Sequence, residues 1–192
     1  MNKIYFILVM LILVAFPAGL MHAQELVVNG DLELWDDPAN PTDWDKAENI
    51  DQEMGTVHGG TYSAAHTSAS SSKDLQQDVA GIIGGTNYTI SYWYYDNDTA
   101  AKTRMWSYWL EGTTYLDDNQ AELRWDDYST NIDGWQLYTV SLTAPANADG
   151  FRFEVRVYHE NDHTGGMVYY DDFSMQAAGV SPEPTNYPTD FT

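Results

Sequence analysis

Residues 88–95 spell out a period-two alternation that suits a half-buried β-strand. Tyr88, Ile90, Tyr92 and Tyr94 fall on one face, and Thr89, Ser91, Trp93 and Tyr95 on the other. The turn Gly84-Gly85-Thr86-Asn87 leads into it. The pattern returns downstream, where Phe151, Phe153, Val155 and Val157 alternate with Arg152, Glu154, Arg156 and Tyr158. A strand opened by Gly134-Trp135 has Tyr138, Val140 and Leu142 as its core face. Further strands are predicted over 26–28, after 59–64, and over 74–79, 104–110 and 167–175. Loops are predicted over 36–45, pinned by Trp35 and Trp44, and over 67–73 and 96–102. Many short strands separated by Gly, Pro, Asn and Asp predict an all-β fold, an antiparallel β-sandwich or barrel. No internal repeat is present.

Charge narrows the function. The 192 residues hold 8 basic and 29 acidic side chains. Such a surface repels nucleic-acid phosphate and anionic lipid, and suits divalent cations and neutral or cationic ligands. There are no cysteines, which removes disulfides, a thiol nucleophile and a lipoprotein anchor.

Residues 1–23 read as a secretory signal peptide. Lys3 precedes the apolar run from Ile4 to Phe16, and Met21-His22-Ala23 offers a small residue before the cut. That run is short for a spanning helix, so no membrane insertion is expected. The mature protein is expected to be secreted, extracellular or at the cell surface. Residues 24–178 form the expected module. Residues 179–192, rich in proline, read as a linker, with the start of a further domain at Asp190-Phe191-Thr192.

Acidic residues mark both ends of the module, in Asn29-Gly30-Asp31-Leu32-Glu33 and Tyr169-Tyr170-Asp171-Asp172-Phe173. If the first stretch is extended, Asp31 and Glu33 point the same way. Carboxylates and carbonyls gathered where two chain ends meet suit a hard cation such as Ca²⁺. Four solvated loop acids fit the same residues.

Other motifs carry less. His159-Glu160-Asn161-Asp162-His163 has the zinc-protease spacing, but that chemistry needs both histidines on one helix face. Here a strand pattern precedes the motif and Gly165-Gly166 follows at once, so a polar loop is expected. The pairs Asp36-Asp37, Asp117-Asp118 and Asp126-Asp127 could serve as cation sites or glycosidase acids, as could Glu111, Glu122 and Glu154. Nothing local marks an acid/base pair among them. Asp96-Asn97-Asp98 begins like a calcium loop but lacks its glycine and closing glutamate.

Taken in order, several segments carry a family likeness. They are Asn29 to Glu33, Trp44, Gly60-Thr61-Tyr62-Ser63, Gly85 to Trp93, Trp135, Tyr138 to Leu142, and Val168 to Met175. This order resembles the carbohydrate-binding modules of the xylan- and glucan-binding type, which are galactose-binding-like jelly rolls. The resemblance covers roughly residues 25–176. It implies a structural Ca²⁺ tying the first strand to the last. Glu33 and one or both of Asp171 and Asp172 would supply side-chain oxygens, and Asp31 and Thr61 backbone or side-chain oxygens.

The resemblance also implies aromatic residues on the concave sheet or the sandwich rim. Sugar C–H faces pack on rings, while amides and carboxylates take the hydroxyls. The candidates are Trp93 and Tyr95, then Trp106 and Tyr108, or Trp109 if the register differs. Arg152, Glu154, Arg156 and Tyr158 would line the same surface if their strand lies alongside. The expected function is a non-catalytic module docking polysaccharide or cell-surface glycan for domains tethered to it. A structural or adhesion module and a small jelly-roll glycosidase are the competing readings.

Overall fold

A computed structural model describes residues 24–116 and 119–178. The leader read at 1–23, the linker read at 179–192 and the pair Asp117-Asp118 lie outside these residues. The strands are β1 (Trp35–Asp37), β2 (Asn40–Pro41), β3 (Lys46–Ala47), β4 (Ile50–Glu53), β5 (Ser63–Thr67), β6 (Lys73–Ala80) and β7 (Asn87–Tyr95). They continue with β8 (Ala101–Met105), β9 (Tyr108–Glu111), β10 (Thr114–Tyr115), β11 (Trp135–Thr143), β12 (Gly150–His159) and β13 (Met167–Ala177). A 3₁₀ turn spans Ala121–Arg124.

Two antiparallel sheets face each other. One has the order β11-β7-β13-β5-β4; the other runs β10-β9-β12-β6-β3, with β8 also paired to β12. The alternations predict the faces correctly. Tyr88, Ile90 and Tyr92 are buried, as are Phe151, Phe153, Val155 and Val157. Core rings pack both within each sheet and across to the other. Tyr92 stacks on Phe173 at 5.4 Å and on Tyr138 at 5.2 Å, Phe153 meets Phe173 edge-on at 5.3 Å, and Trp109 meets Phe151 at 4.8 Å. Each such ring contributes on the order of 2 kcal/mol by leaving water. One polar contact also crosses the core. The Thr103 hydroxyl donates to the Arg156 carbonyl (2.8 Å), so the Tyr170 hydroxyl, 2.5 Å away, donates to Thr103.

Four expectations are corrected. Residues 26–28 make no strand: Glu25 bridges Gln176, and the Leu26 N–H donates to Met175 (3.0 Å). The Gln77 side chain then takes the Val28 N–H, and Asn29, at φ 50°, turns the chain away. The stretch 29–33 is therefore turn, not strand, and Asp31 and Glu33 do not share a strand face. The expected loop over 36–45 contains the β1–β2 hairpin, although Trp35 and Trp44 do pack against the core. The expected strand over 104–110 is broken at Trp106-Ser107. There the Trp106 N–H and the Ser107 hydroxyl both donate to the Glu154 carbonyl, at 2.8 and 3.1 Å. The pieces β8 and β9 run along one edge of β12, and Trp109 points into the core.

Candidate functional site

The outer face of the six-stranded sheet collects six of the eight residues anticipated as ligand contacts. Pairing of β12 with β6, β8 and β9 brings Arg152, Glu154, Arg156 and Tyr158 alongside Trp106 and Tyr108. Trp93 and Tyr95 are elsewhere, because β7 belongs to the other sheet. Their surface is the opposite outer face of the sandwich.

The six-stranded face is a row of rings interleaved with guanidiniums. Tyr128 meets Tyr158 edge-on at 5.1 Å. The Arg104 guanidinium lies 4.4 Å from the Trp106 ring and 4.6 Å from that of Tyr128, and Arg156 lies 4.8 Å from Trp106. At the other end Tyr108 stacks on Tyr115 at 4.4 Å, with the Arg124 guanidinium 4.5 Å from Tyr108. Such cation–π contacts hold long side chains in place.

Carboxylates fix the charges. Arg152 grips Asp78 through two bonds of 2.7 and 2.8 Å and also donates to the Tyr115 hydroxyl. Arg156 donates to Glu154 (2.5 Å) and pairs with Asp74 (3.1 Å), and Asp74 in turn takes Lys46 (2.6 Å). Glu154 is only 3 % exposed. Burial raises its carboxyl above the ordinary value and the Asp74 charge adds to that, while Arg156 pulls the other way. The result is a preorganised surface of ring faces with anchored donors and acceptors, the set that sugar recognition needs.

Arg104, Tyr115, Arg124 and Tyr128 escaped sequence reasoning. Lys102 and Arg104 alternate with Ala101, Thr103 and Met105 in β8, and that pattern could have flagged Arg104. Tyr128 lies on a loop, and no local pattern marks it.

The opposite face carries its own aromatic group. His58 stacks on Trp93 at 4.0 Å and meets Trp135 at 5.5 Å. Tyr95 lies 5.9 Å from both Trp135 and Tyr169, and its hydroxyl donates to Asp133 (2.6 Å). His58 covers one face of Trp93.

Four of the five residues anticipated as cation ligands gather around the turn at 58–62. Glu33 accepts the N–H groups of Thr61 (2.7 Å) and Tyr62 (2.9 Å). Although burial opposes it, these bonds and the Thr61 hydroxyl hold its carboxyl below the ordinary value. Asp171 is fully buried and accepts from His58 (2.9 Å) and Gly59 (3.1 Å). Burial pushes its carboxyl up to about 6, against those N–H groups, and the Asp172 charge adds to the rise. Asp172 Oδ2 lies 2.6 Å from His58 Nδ1. Gly60, at φ 62°, has no room for a Cβ beside the Glu33 carboxylate.

Thr61 thus presents a donor to Glu33, and Asp31 stands apart on an exposed groove with Glu25 and Asp172. Among the described residues, no three His, Cys, Asp or Glu side chains converge closely enough to hold a metal alone. The oxygens of Glu33, Asp171 and Asp172 suit a hard cation in kind, and its shell would need backbone carbonyls or water to reach six to eight ligands.

No protein-family profile matches the sequence, and no curated protein matches it. Solved structures match the fold. The CBM22-1 xylan-binding domain of Paenibacillus barcinonensis Xyn10C is 11% identical at TM-score 0.54, covering 81% of this chain and 95% of that one. TmCBM61, solved with β-1,4-galactotriose, is 14% identical at TM-score 0.53, covering 81% of this chain and all of that one. The enzymatically active domain of bacteriophage CBA120 tailspike protein 4 is 10% identical at TM-score 0.57, covering 80% of this chain and 21% of that one. The fold is the jelly-roll β-sandwich of carbohydrate-binding modules.

Proposed function

We propose that this protein is a non-catalytic module that docks a polysaccharide along the outer face of its six-stranded sheet. The observation that carries the reading is the row of rings and anchored guanidiniums around Trp106. The shared fold with a xylan-binding domain and with a module solved on a galactotriose supports it. Glu154 favours binding over glycosidic chemistry, because Arg156 holds it in an ion pair beneath the surface. An exported protein whose module serves tethered domains completes the proposal.

Affinity electrophoresis through gels carrying different polysaccharides tests it. One polymer is expected to retard the protein, with soluble oligosaccharide reversing the effect. Trp106→Ala is expected to weaken retention about tenfold, the loss typical of a central aromatic contact. If Trp93→Ala abolishes retention and Trp106→Ala does not, the glycan lies on the five-stranded face. No retardation across a broad panel would leave the structural or adhesion reading, and release of reducing sugar would establish a glycosidase.

A structural Ca²⁺ held by Glu33, Asp171 and Asp172 is the second part of the proposal. A cation that binds only the folded state raises stability by about 2.7 kcal/mol at a hundred times its Kd. Chelation is therefore expected to lower Tm by several degrees, and Ca²⁺ rather than Mg²⁺ to restore it. An unchanged Tm with no metal by elemental analysis rejects the site.

A further inference from the structure

Beside the proposed glycan face, a cavity of about 220 Å³ opens between the sheets at the free edge of β8. Tyr92, Tyr94, Met105 and Tyr138 form its wall, and Trp125 and Tyr128 stand with them where the 125–130 loop crosses. Tyr92 and Met105 are buried, while Trp125 is 52% exposed. The loop is tied to the strand edge by bonds from the Ser129 N–H to the Thr103 carbonyl and from the Thr103 N–H to the Ser129 hydroxyl, both 2.8 Å.

Four of the six lining hydroxyls have their hydrogens committed. Tyr94 donates to Gln136 (3.2 Å), Tyr138 to the Glu122 carbonyl (2.5 Å), Thr103 to the Arg156 carbonyl and Ser129 to Asp96. A sugar ring placed here would bury several hydroxyls against ring faces and hydroxyls that are mostly committed elsewhere, which is costly. A flat apolar ring would instead meet ring faces and a thioether. Two charged groups border the cavity, and each has a use. The exposed Asp127 carboxylate can accept one O–H, and Arg104 is shared with the glycan face, where it stacks on Trp106.

We propose that this cavity binds a hydroxyphenyl group, and that the group is a phenolic ester carried by the glycan on the adjoining face. The ring follows from the cavity wall alone. Its carrier rests on the glycan reading, through the continuity that Arg104 and Tyr128 give the two surfaces.

Titration calorimetry with methyl ferulate, a neutral phenolic ester, tests the ring. Saturable binding is expected, with Trp125→Ala weakening it about tenfold and leaving retention by ester-free polysaccharide unchanged. Absent binding, or binding equal in wild type and variant, overturns the cavity assignment, as does displacement by a simple methyl glycoside. The carrier is tested with feruloylated arabinoxylan before and after mild alkaline de-esterification. Stronger retardation before treatment supports it. Equal retardation overturns the glycan-borne form and leaves a free phenolic as the ligand. Failure of methyl ferulate with polysaccharide retention intact removes the cavity proposal only, whereas failure of both removes the glycan reading as well.

Discussion

Acidification from pH 7 to pH 4.5 is expected to lower the unfolding free energy by about 2–3 kcal/mol through one residue, His66. His66 lies on β5 opposite Val168 and Ile50 and is completely buried, 5.7 Å from the Tyr170 ring. Neither ring nitrogen reaches a hydrogen-bond partner of normal geometry, although the Glu48 carbonyl lies to one side. Burial drives the imidazole down to about 3, the Glu48 carbonyl and Asp74 oppose this, and Lys73 adds to it. A histidine with a depressed folded pKa supports the fold above its ordinary value of 6.5. It withdraws that support as pH falls towards 3, in all about 4–5 kcal/mol at 1.36 kcal/mol per unit.

Other groups act in the opposite sense over part of this range. Asp171, raised to about 6, binds its proton more tightly folded than unfolded, so its contribution grows as pH falls from 6 towards 3.8. Asp96 and Glu154, also raised by burial, act in the same direction. The His66 share is therefore isolated by difference, with urea unfolding of wild type and His66→Leu at pH 7 and pH 4.5 in chelator. The wild type is expected to lose about 2–3 kcal/mol more than the variant on acidification. Parallel losses would mean that the buried ring does find a proton acceptor. At pH 7 the variant is expected to match or exceed the wild type, since an apolar side chain replaces two unpaired polar atoms.

His66 also shows where sequence reasoning stops. Faces within a strand are local, so the alternations in β7 and β12 name core and surface correctly. Partners between strands are not local. Nothing in 88–95 or 151–158 says that these strands belong to different sheets, so the sequence leaves open whether Trp93 and Tyr95 share a surface with Arg152 and Tyr158. Ser63-Ala64-Ala65-His66-Thr67 has no alternation to read, because both faces of β5 are covered. The Asp and Glu residues near the two chain ends were legible as a group. Their use was not, because the N–H groups that satisfy Glu33 and Asp171 come from 58–62, far from either in sequence. The rings around Arg104 are illegible for a related reason: the loop that carries Tyr128 is placed by contacts with residues distant in sequence, among them its bonds to Asp96 and Thr103.

Gly30 is the position where a single methyl group is expected to cost most. Its backbone is not in the left-handed region, a role that falls to Asn29 and Leu32 on either side. What Gly30 provides is proximity. The Phe173 N–H donates to its carbonyl at 2.8 Å, and a Cβ on Gly30 would land on the Phe173 carbonyl oxygen while lying 3.2 Å from Val27. Neither side can yield cheaply. Phe173 follows Asp172, itself at φ 49°, inside the bulge where β13 shifts register against β7. Its ring is held by Tyr92, Phe153 and Trp44, the last at 4.8 Å. Moving that carbonyl moves the centre of the core. Gly30→Ala is expected to destabilise by about 3 kcal/mol or more, a fall of roughly 6–12 °C in Tm for a domain of this size. Because the displaced bulge carries Asp171 and Asp172, the variant should also lose any stabilisation by Ca²⁺. A loss below about 1 kcal/mol, with the Ca²⁺ response intact, would show that the turn and the bulge separate freely, and that the two ends of the module are joined elsewhere.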